Sequence, residues 1–216
     1  MNEVLEDNLA KRSELHLKRR IWHITVGAFC LFCYYFFHMN ISTWGYISVA
    51  VAFFGFILDF LRLKNETLNL KLTKRFGPLM RRSESLSFSG LPFYALGVGL
   101  SIFLFKKEIA IISILYLIFA DPIASIVGVY LGKDKLLPNK TLQGTVASFS
   151  ICLLIGFIYF NVNKLYHPNS IMMIFLGAIG GALSELLSAF NIDDNLTIPV
   201  LSGAFLTLLN LIFNIF

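Results

Sequence analysis

EIAIISILYLIFADPIASIVGVYL, residues 108–131, is the stretch on which the fold turns. At about 1.5 Å of rise per residue it outreaches the ~30 Å hydrocarbon core of a bilayer, so as a helix it spans a membrane. Its middle nevertheless holds Asp121 and Pro122. A charge at the bilayer centre costs about 2.5–3.5 kcal/mol on insertion scales, while proline removes a helix donor and frees a carbonyl. Irregular backbone survives at that depth only against protein or a water-filled cavity. The stretch thus predicts a span whose Asp121 face meets other helices, with a simple kink as the competing reading.

Outward from it, further apolar windows fall at about 21–38, 42–61, 88–105, 144–163, 170–190 and 196–216, each near the roughly 20 residues a span requires. The chain of 216 residues is 56% hydrophobic and 14% charged, with a mean hydropathy of +0.72. A soluble domain of this size has no interior large enough for that apolar surface. The expectation is all-α: a polytopic membrane bundle of about seven transmembrane helices, with no room for a separate soluble domain. No small-residue cleavage site follows the first window, so it reads as a retained helix and not a signal peptide. Val4, Leu5 and Leu9 suggest a short interfacial helix over residues 4–17.

All of the 18 basic residues except Lys106, Lys107 and Lys164 fall before the first window, between the second and third, or between the fourth and fifth. The positive-inside rule places those segments, and the N-terminus, in the cytosol and the C-terminus outside. The net charge of +5 accordingly reads as topology and headgroup attraction, not as nucleic-acid binding. Within residues 62–87, Leu68, Leu72 and Phe76 share a helical face beside Lys71, Lys74 and Arg75, which suits a helix on the cytosolic leaflet. Cys30 and Cys33 stand alone in their window and read as packing residues.

Three carboxylates lie inside apolar windows: Asp59, Asp121 and Glu185. Counting rise from the outer surface puts Asp121 roughly 20 Å deep, Glu185 roughly 22 Å and Asp59 roughly 26 Å, all in the cytosolic half. Asp59 stands at i, i+3 from Arg62, so mutual neutralisation competes with a functional role, and Glu185 has the alternative of an interhelical tie. Ala124, Gly128 and Gly132 repeat every four residues after Asp121, while Gly177 and Gly181 share a row with Glu185. Such rows let helices approach closely, so the fourth and sixth spans are expected to meet around a polar pocket open to the cytosol.

Lys133, Lys135 and Lys140 follow Asp121, and KTLQGT at residues 140–145 opens the fifth span. A helix N-terminus with a Thr cap and a close-approach Gly reads as a phosphate-binding turn, against the alternative of an ordinary basic loop. The last inner loop, NIDDNLTIP, is acidic where the others are basic. Asp193, Asp194 and Asn195 offer hard oxygens suited to Mg²⁺ on nucleotide phosphates. Lysines, carboxylates and a lipid-facing pocket together suggest phosphoryl or nucleotidyl transfer to a lipid. An ion-coupled transporter would spread charge through the full membrane depth, and here the charges gather on one side.

DPIASIVGVYLGKDK…NKTLQGT with E…NIDDNLTIP resembles the CTP-dependent lipid-alcohol kinases: dolichol kinase, phytol kinase and the CTP-dependent diacylglycerol kinases. RRIWHITVG at residues 19–27, with Arg20, His23 and Gly27, and LMRRSESLSFSG at 79–90 extend the likeness over nearly the whole chain. Phosphatidate cytidylyltransferases are more distantly similar, through the Gly-Lys…Lys-Thr-x-x-Gly region. Their Pro-Gly-His-Gly-Gly…Asp-Arg segment is replaced here by DDNLTIP, which favours the kinase branch, with CDP-lipid synthesis as the alternative. The resemblance implies a single transmembrane catalytic domain, 21–216, after a cytosolic segment, 1–20, in the cell membrane. It further implies CTP and Mg²⁺ as cofactors and a polyprenol, phytol-like prenol or diacylglycerol as acceptor. Asp121, Asp193 and Asp194 would hold the metal; Asp121, Asp194 and Glu185 would serve catalysis. Lys133, Lys140, Thr141, Gly144, Asn195, Arg81, Glu84 and His23 would bind nucleotide or close the site.

Overall fold

The computed structural model describes residues 12–188 and 193–216. The expected interfacial contacts of Val4, Leu5 and Leu9 fall outside these residues, as do Asn191 and Ile192 of the acidic loop. The helices are α1 (Arg12–Phe36), α2 (Ile41–Lys64), α3 (Glu66–Phe76), α4 (Gly90–Leu104), α5 (Lys107–Leu115), α6 (Asp121–Tyr130), α7 (Leu142–Val162), α8 (Ser170–Leu187) and α9 (Asp194–Phe213). A π-helical segment, Tyr116–Ala120, joins α5 to α6, so Lys107–Tyr130 runs as one rod. Every apolar window has become helix, in an all-α polytopic membrane bundle. Five of these rods are long and apolar enough to cross a bilayer: Ile41–Lys64, Lys107–Tyr130, Leu142–Val162, Ser170–Leu187 and Asp194–Phe213. Gly90–Leu104 is a shorter apolar helix. The first window begins at residue 21, but α1 runs back through the basic segment to Arg12, because nothing between them breaks a helix.

The opening stretch forms the post around which the rest is arranged. Ile109, Ala110, Ile111, Ile112, Ile114, Tyr116, Leu117 and Ile118 are each almost fully enclosed. The other rods leave one side to lipid: Phe53, Phe54, Leu58, Ile158, Ile171 and Leu211, for example, are exposed. Enclosed and lipid-facing helices read alike in sequence because lipid tails are as apolar as a protein interior.

Polar side chains set the helix starts: Asn40 accepts from Ser42 N at the head of α2, Asn65 from Leu68 N at α3, Thr141 from Gly144 N at α7 and Asp193 from Asn195 N at α9. The connection at 62–87 contains α3 as an amphipathic helix, followed by two short 3₁₀ turns, Gly77–Leu79 and Arg82–Ser85. Ahead of the KTLQGT turn, residues 135–141 form a small antiparallel hairpin, β1 (Lys135–Leu137) with β2 (Lys140–Thr141), closed at Pro138 and Asn139.

The expected meeting of the fourth and sixth spans needs correction. The small residues of α6 pack on the start of α7: a Cβ on Gly144 would lie 2.8 Å from the carbonyl oxygen of Ala124 and 3.4 Å from Gly128 Cα. The row on α8 makes room for side chains instead. A Cβ on Gly181 would strike Cys152 Sγ at 2.6 Å and the Tyr116 ring at 2.8 Å, and one on Gly177 would strike Leu206 at 2.8 Å. The Tyr116 ring is thick enough to hold the α8 backbone away from the central rod, so the two spans touch through a side chain.

Candidate active site

Pro122 has not broken the central rod, because the helix widens one turn before it. Asp121 N donates to Tyr116 O, five residues back, which is π spacing. In that pattern the next acceptor is Leu117 O, and Pro122 has no N–H to offer it. His23 on α1 fills the vacancy: its Nε2 lies 3.0 Å from Leu117 O, and since a carbonyl only accepts, Nε2 carries the proton. The His23 ring also stands edge-on to Tyr94, with centroids 4.7 Å apart. His23 was expected among the nucleotide ligands; the structure commits its Nε2 to the backbone of the central rod.

One turn earlier on α1, Arg20 Nη1 donates to Asp121 Oδ2 at 3.0 Å, with Asp121 only 2% exposed. Among the described residues the hydrogen bond to Asp121 ends on Oδ2, which leaves Oδ1 as a further acceptor. Arg19 lies 3.4 Å from Glu84. Arg81 Nη2 grips both oxygens of Asp194 at 2.7 Å, and Nη1 donates to Asp193 Oδ2 at 3.3 Å. Asp193 Oδ1 accepts from the backbone and side chain of Asn195, whose Nδ2 also donates to Gly90 O at 3.3 Å. Burial and the Asp194 charge push the Asp193 carboxyl above its usual range, with Arg81 and Asn195 pulling the other way.

On the far side, Lys140 Nζ donates to Glu185 Oε1, and Glu185 also feels the charges of Asp121 and Asp194. Asp194 in turn lies in the field of Arg19 and Arg20. Carboxylates from the fourth and sixth spans and the final acidic turn therefore share one charged belt with the Lys140 turn. It runs through Glu84, Arg81, Asp194, Arg20, Asp121, Glu185 and Lys140, with an arginine or lysine beside each carboxylate. Buried charge persists because each ion has a partner; removing one member of such a pair typically costs about 3–5 kcal/mol.

The turn itself is well built. Thr141 Oγ1 accepts from Gly144 N at 3.2 Å, and Leu142 N donates to Asp134 O at 2.8 Å. Gln143 reaches over the hairpin, accepting from Lys133 N and Asp134 N and donating to Asp134 Oδ2 at 2.7 Å. Gly144 is required where α7 meets α6. Lys133 is exposed, and its side chain stands apart from these pairs.

Asp59 belongs elsewhere. Its Oδ1 accepts from Arg62 Nε at 2.6 Å, as the i, i+3 spacing suggested, and its Oδ2 accepts from the backbone and hydroxyl of Ser89 at 2.7 and 2.8 Å. Arg62 continues to Asn69 Oδ1 and Ser87 O, and Asn69 Nδ2 to Ser85 O. This clamp fixes the 85–89 segment, and thereby Glu84 and Arg81, against α2 and α3. Sequence reasoning did not separate Arg19 and Arg20 from the topological charges beside them. The usable signal was their spacing, since Arg20 and His23 are three residues apart and share a helical face.

Among the described residues no group of three or more His, Cys, Asp or Glu side chains is arranged to hold a metal by itself. Asp193 and Asp194 are occupied by Arg81 and Asn195. Asp121, with one oxygen uncommitted, retains donor capacity suited to a hard cation that arrives already bound to phosphate, for which one or two protein carboxylates suffice.

A membrane helical bundle with ion-paired carboxylates beside a lysine-bearing helix N-terminus defines a class that brings charged nucleotide to lipid. This chain belongs to the cytidylyltransferase family, whose profile matches residues 5–188. It is 30% identical over 214 residues to CTP-dependent diacylglycerol kinase 1 of Saccharomyces cerevisiae, covering 88% of this chain and 72% of that one. To the protein of the same name from Schizosaccharomyces pombe it is 29% identical over 211 residues, covering 89% and 93%. To that from Eremothecium gossypii it is 31% identical over 212 residues, covering 87% and 65%. No solved structure matches. The likeness to CTP-dependent lipid-alcohol kinases carried by the central block and its flanks is thus borne out.

Proposed function

We propose that this protein transfers the γ-phosphoryl group of CTP to the hydroxyl of diacylglycerol at the cytosolic face of the cell membrane. The observation that carries the reading is the shared charged belt: Lys140 and the α7 N-terminus lie in one electrostatic unit with Asp121, Glu185 and Asp194. The relatives' names carry diacylglycerol as acceptor, which supports it over the prenols. Lys140, Lys133 and the amides around Thr141 and Gly144 would receive the triphosphate, Lys140 exchanging Glu185 for phosphate oxygen. Arg81 and Arg20 would neutralise charge as it develops on the transferring group. Asp121 would offer Oδ1 to Mg²⁺, which when bound draws charge from the β- and γ-oxygens. Asp193 and Asp194 would hold Arg81 in place, and Asn195 would hold the start of α9 against Gly90.

The family's description favours a second reading, nucleotidyl transfer from CTP to phosphatidate with release of pyrophosphate. One experiment decides. Purified protein in detergent–lipid micelles is given Mg²⁺, γ-labelled CTP and a panel of diacylglycerol, polyprenol and phytol. Label in phosphatidate, with CDP as co-product, is expected; label in pyrophosphate after phosphatidate is supplied would overturn the kinase reading.

A further inference from the structure

A cavity of about 320 Å³ opens from the Glu84 end of the charged belt, between α1, α2, α3 and α4. Trp22, Val26, Leu58, Leu72, Phe76 and Leu91 belong to its apolar lining; Arg19, His23, Glu84 and Asn195 form its polar end, and the mutually paired Asp59, Arg62 and Ser89 line it as well. Trp22, Leu58 and Leu91 are about half exposed, at 51, 50 and 55%, an apolar surface of the kind that bilayer hydrocarbon covers. The chamber is therefore flanked by side chains that lipid tails touch. The amphipathic helix α3, expected only to rest on the leaflet, turns Leu72 and Phe76 into it.

Its polar end holds a specific mismatch. Glu84 is 5% exposed, and its Oε1 is buried without a hydrogen-bond partner among the described residues; Arg19 and Arg81 stand at 3.4 and 4.0 Å. Tyr94, which also lines the chamber, has a buried hydroxyl without a partner. An ionised carboxylate only accepts, so Oε1, beside two guanidinium groups but hydrogen-bonded to neither, has room for a donor. A neutral molecule with one hydroxyl donor, ester carbonyl acceptors and apolar tails complements that end, and diacylglycerol has that chemistry.

We infer, building on the kinase reading above, that diacylglycerol enters this chamber sideways from the bilayer and presents its hydroxyl to Glu84. The Tyr94 hydroxyl faces an ester carbonyl, and the tails leave past Trp22, Leu58 and Leu91. Arg81 ties Glu84 to Asp194 and so joins the lipid end to the phosphate end. In the transfer, the lipid hydroxyl oxygen bonds to the γ-phosphorus while the bond from that phosphorus to the β–γ bridging oxygen breaks. CDP leaves with the electron pair, and the hydroxyl proton passes to the Glu84 carboxylate. Glu84 is thus a catalytic residue, and the apolar wall selects the acceptor.

The test has an arm that does not depend on turnover. A diacylglycerol with a diazirine near the glycerol is photolysed with the wild-type protein, and the labelled peptides are mapped. Label on residues 19–26 and 58–94, competed by unlabelled diacylglycerol, is expected; label confined to α7 and α8, or not competed, overturns the assignment. In turnover, Leu58→Trp is expected to raise KM for diacylglycerol about tenfold with KM for CTP unchanged. Glu84→Gln is expected to lower kcat about a hundredfold, with Glu84→Asp recovering part. Equal kcat for Glu84→Gln and wild type, or a Leu58→Trp effect on CTP alone, overturns it too. If wild type releases pyrophosphate and makes no phosphatidate, the kinase reading fails, while the labelling map still judges the chamber.

Discussion

His23 Nε2 reaches the carbonyl oxygen of Leu117 at 3.0 Å, and Pro122 is the reason that carbonyl is available. The bond pins α1 to the central rod one turn from the Arg20–Asp121 pair, so the position of a proline sets the register of two charges.

Replacing His23 by Phe should leave Leu117 O unpaired and cost about 1–3 kcal/mol, seen as a fall of several degrees in the melting temperature in detergent. Pro122→Ala restores an N–H that can close the turn from within. The double variant should then be more stable than His23→Phe alone. Simple additivity of the two changes would remove the proline from the explanation.

Gly144→Ala tests the contact between α6 and α7. The new methyl would sit 2.8 Å from a backbone oxygen, which cannot swing away as a side chain would. Destabilisation of about 1–3 kcal/mol is expected, with a raised KM for CTP as the Lys140 turn is displaced. Wild-type values for both quantities would mean the contact is loose.

Asp121→Asn should abolish most transfer, by about a hundredfold or more, and also destabilise the fold by stranding Arg20. The two effects separate in Arg20→Met/Asp121→Leu, since an apolar pair of similar volume is often as stable as the buried ions it replaces. The double variant should regain its melting temperature and stay inactive. Recovery of activity along with stability would make the pair purely structural.

How much of this was legible beforehand varies with the range of the interaction. Apolar length alone located the spans, and KTLQGT disclosed the Thr141 cap because it is local; Gly144 was read for phosphate, and its packing on Ala124 of another helix was not visible. The depth argument brought Asp121 and Glu185 to one side of the membrane because rise per residue is constant. Which helix each small residue would meet was beyond it: Gly181 looks the same in sequence whether it accepts a backbone or the Tyr116 ring. The same holds for Arg81, whose partners Asp193 and Asp194 lie more than a hundred residues away. The chamber was hidden because Trp22, Leu58 and Leu91 read as ordinary lipid-facing residues.

Arg81 offers the sharpest test of how the acidic turn is used. Its guanidinium spans both Asp194 oxygens at 2.7 Å, a fork that an ammonium group cannot reproduce. If Asp193 and Asp194 serve to hold Arg81 for the transferring phosphate, Arg81→Lys should lower kcat at least about tenfold while the Mg²⁺ concentration for half-maximal activity stays put. If the two aspartates are metal ligands masked by Arg81, loosening the fork exposes them, and that Mg²⁺ concentration falls instead. Titrating Mg²⁺ at saturating CTP against both proteins distinguishes these outcomes. We expect an unchanged midpoint, because Asp121 keeps an uncommitted oxygen and the aspartates of the turn do not.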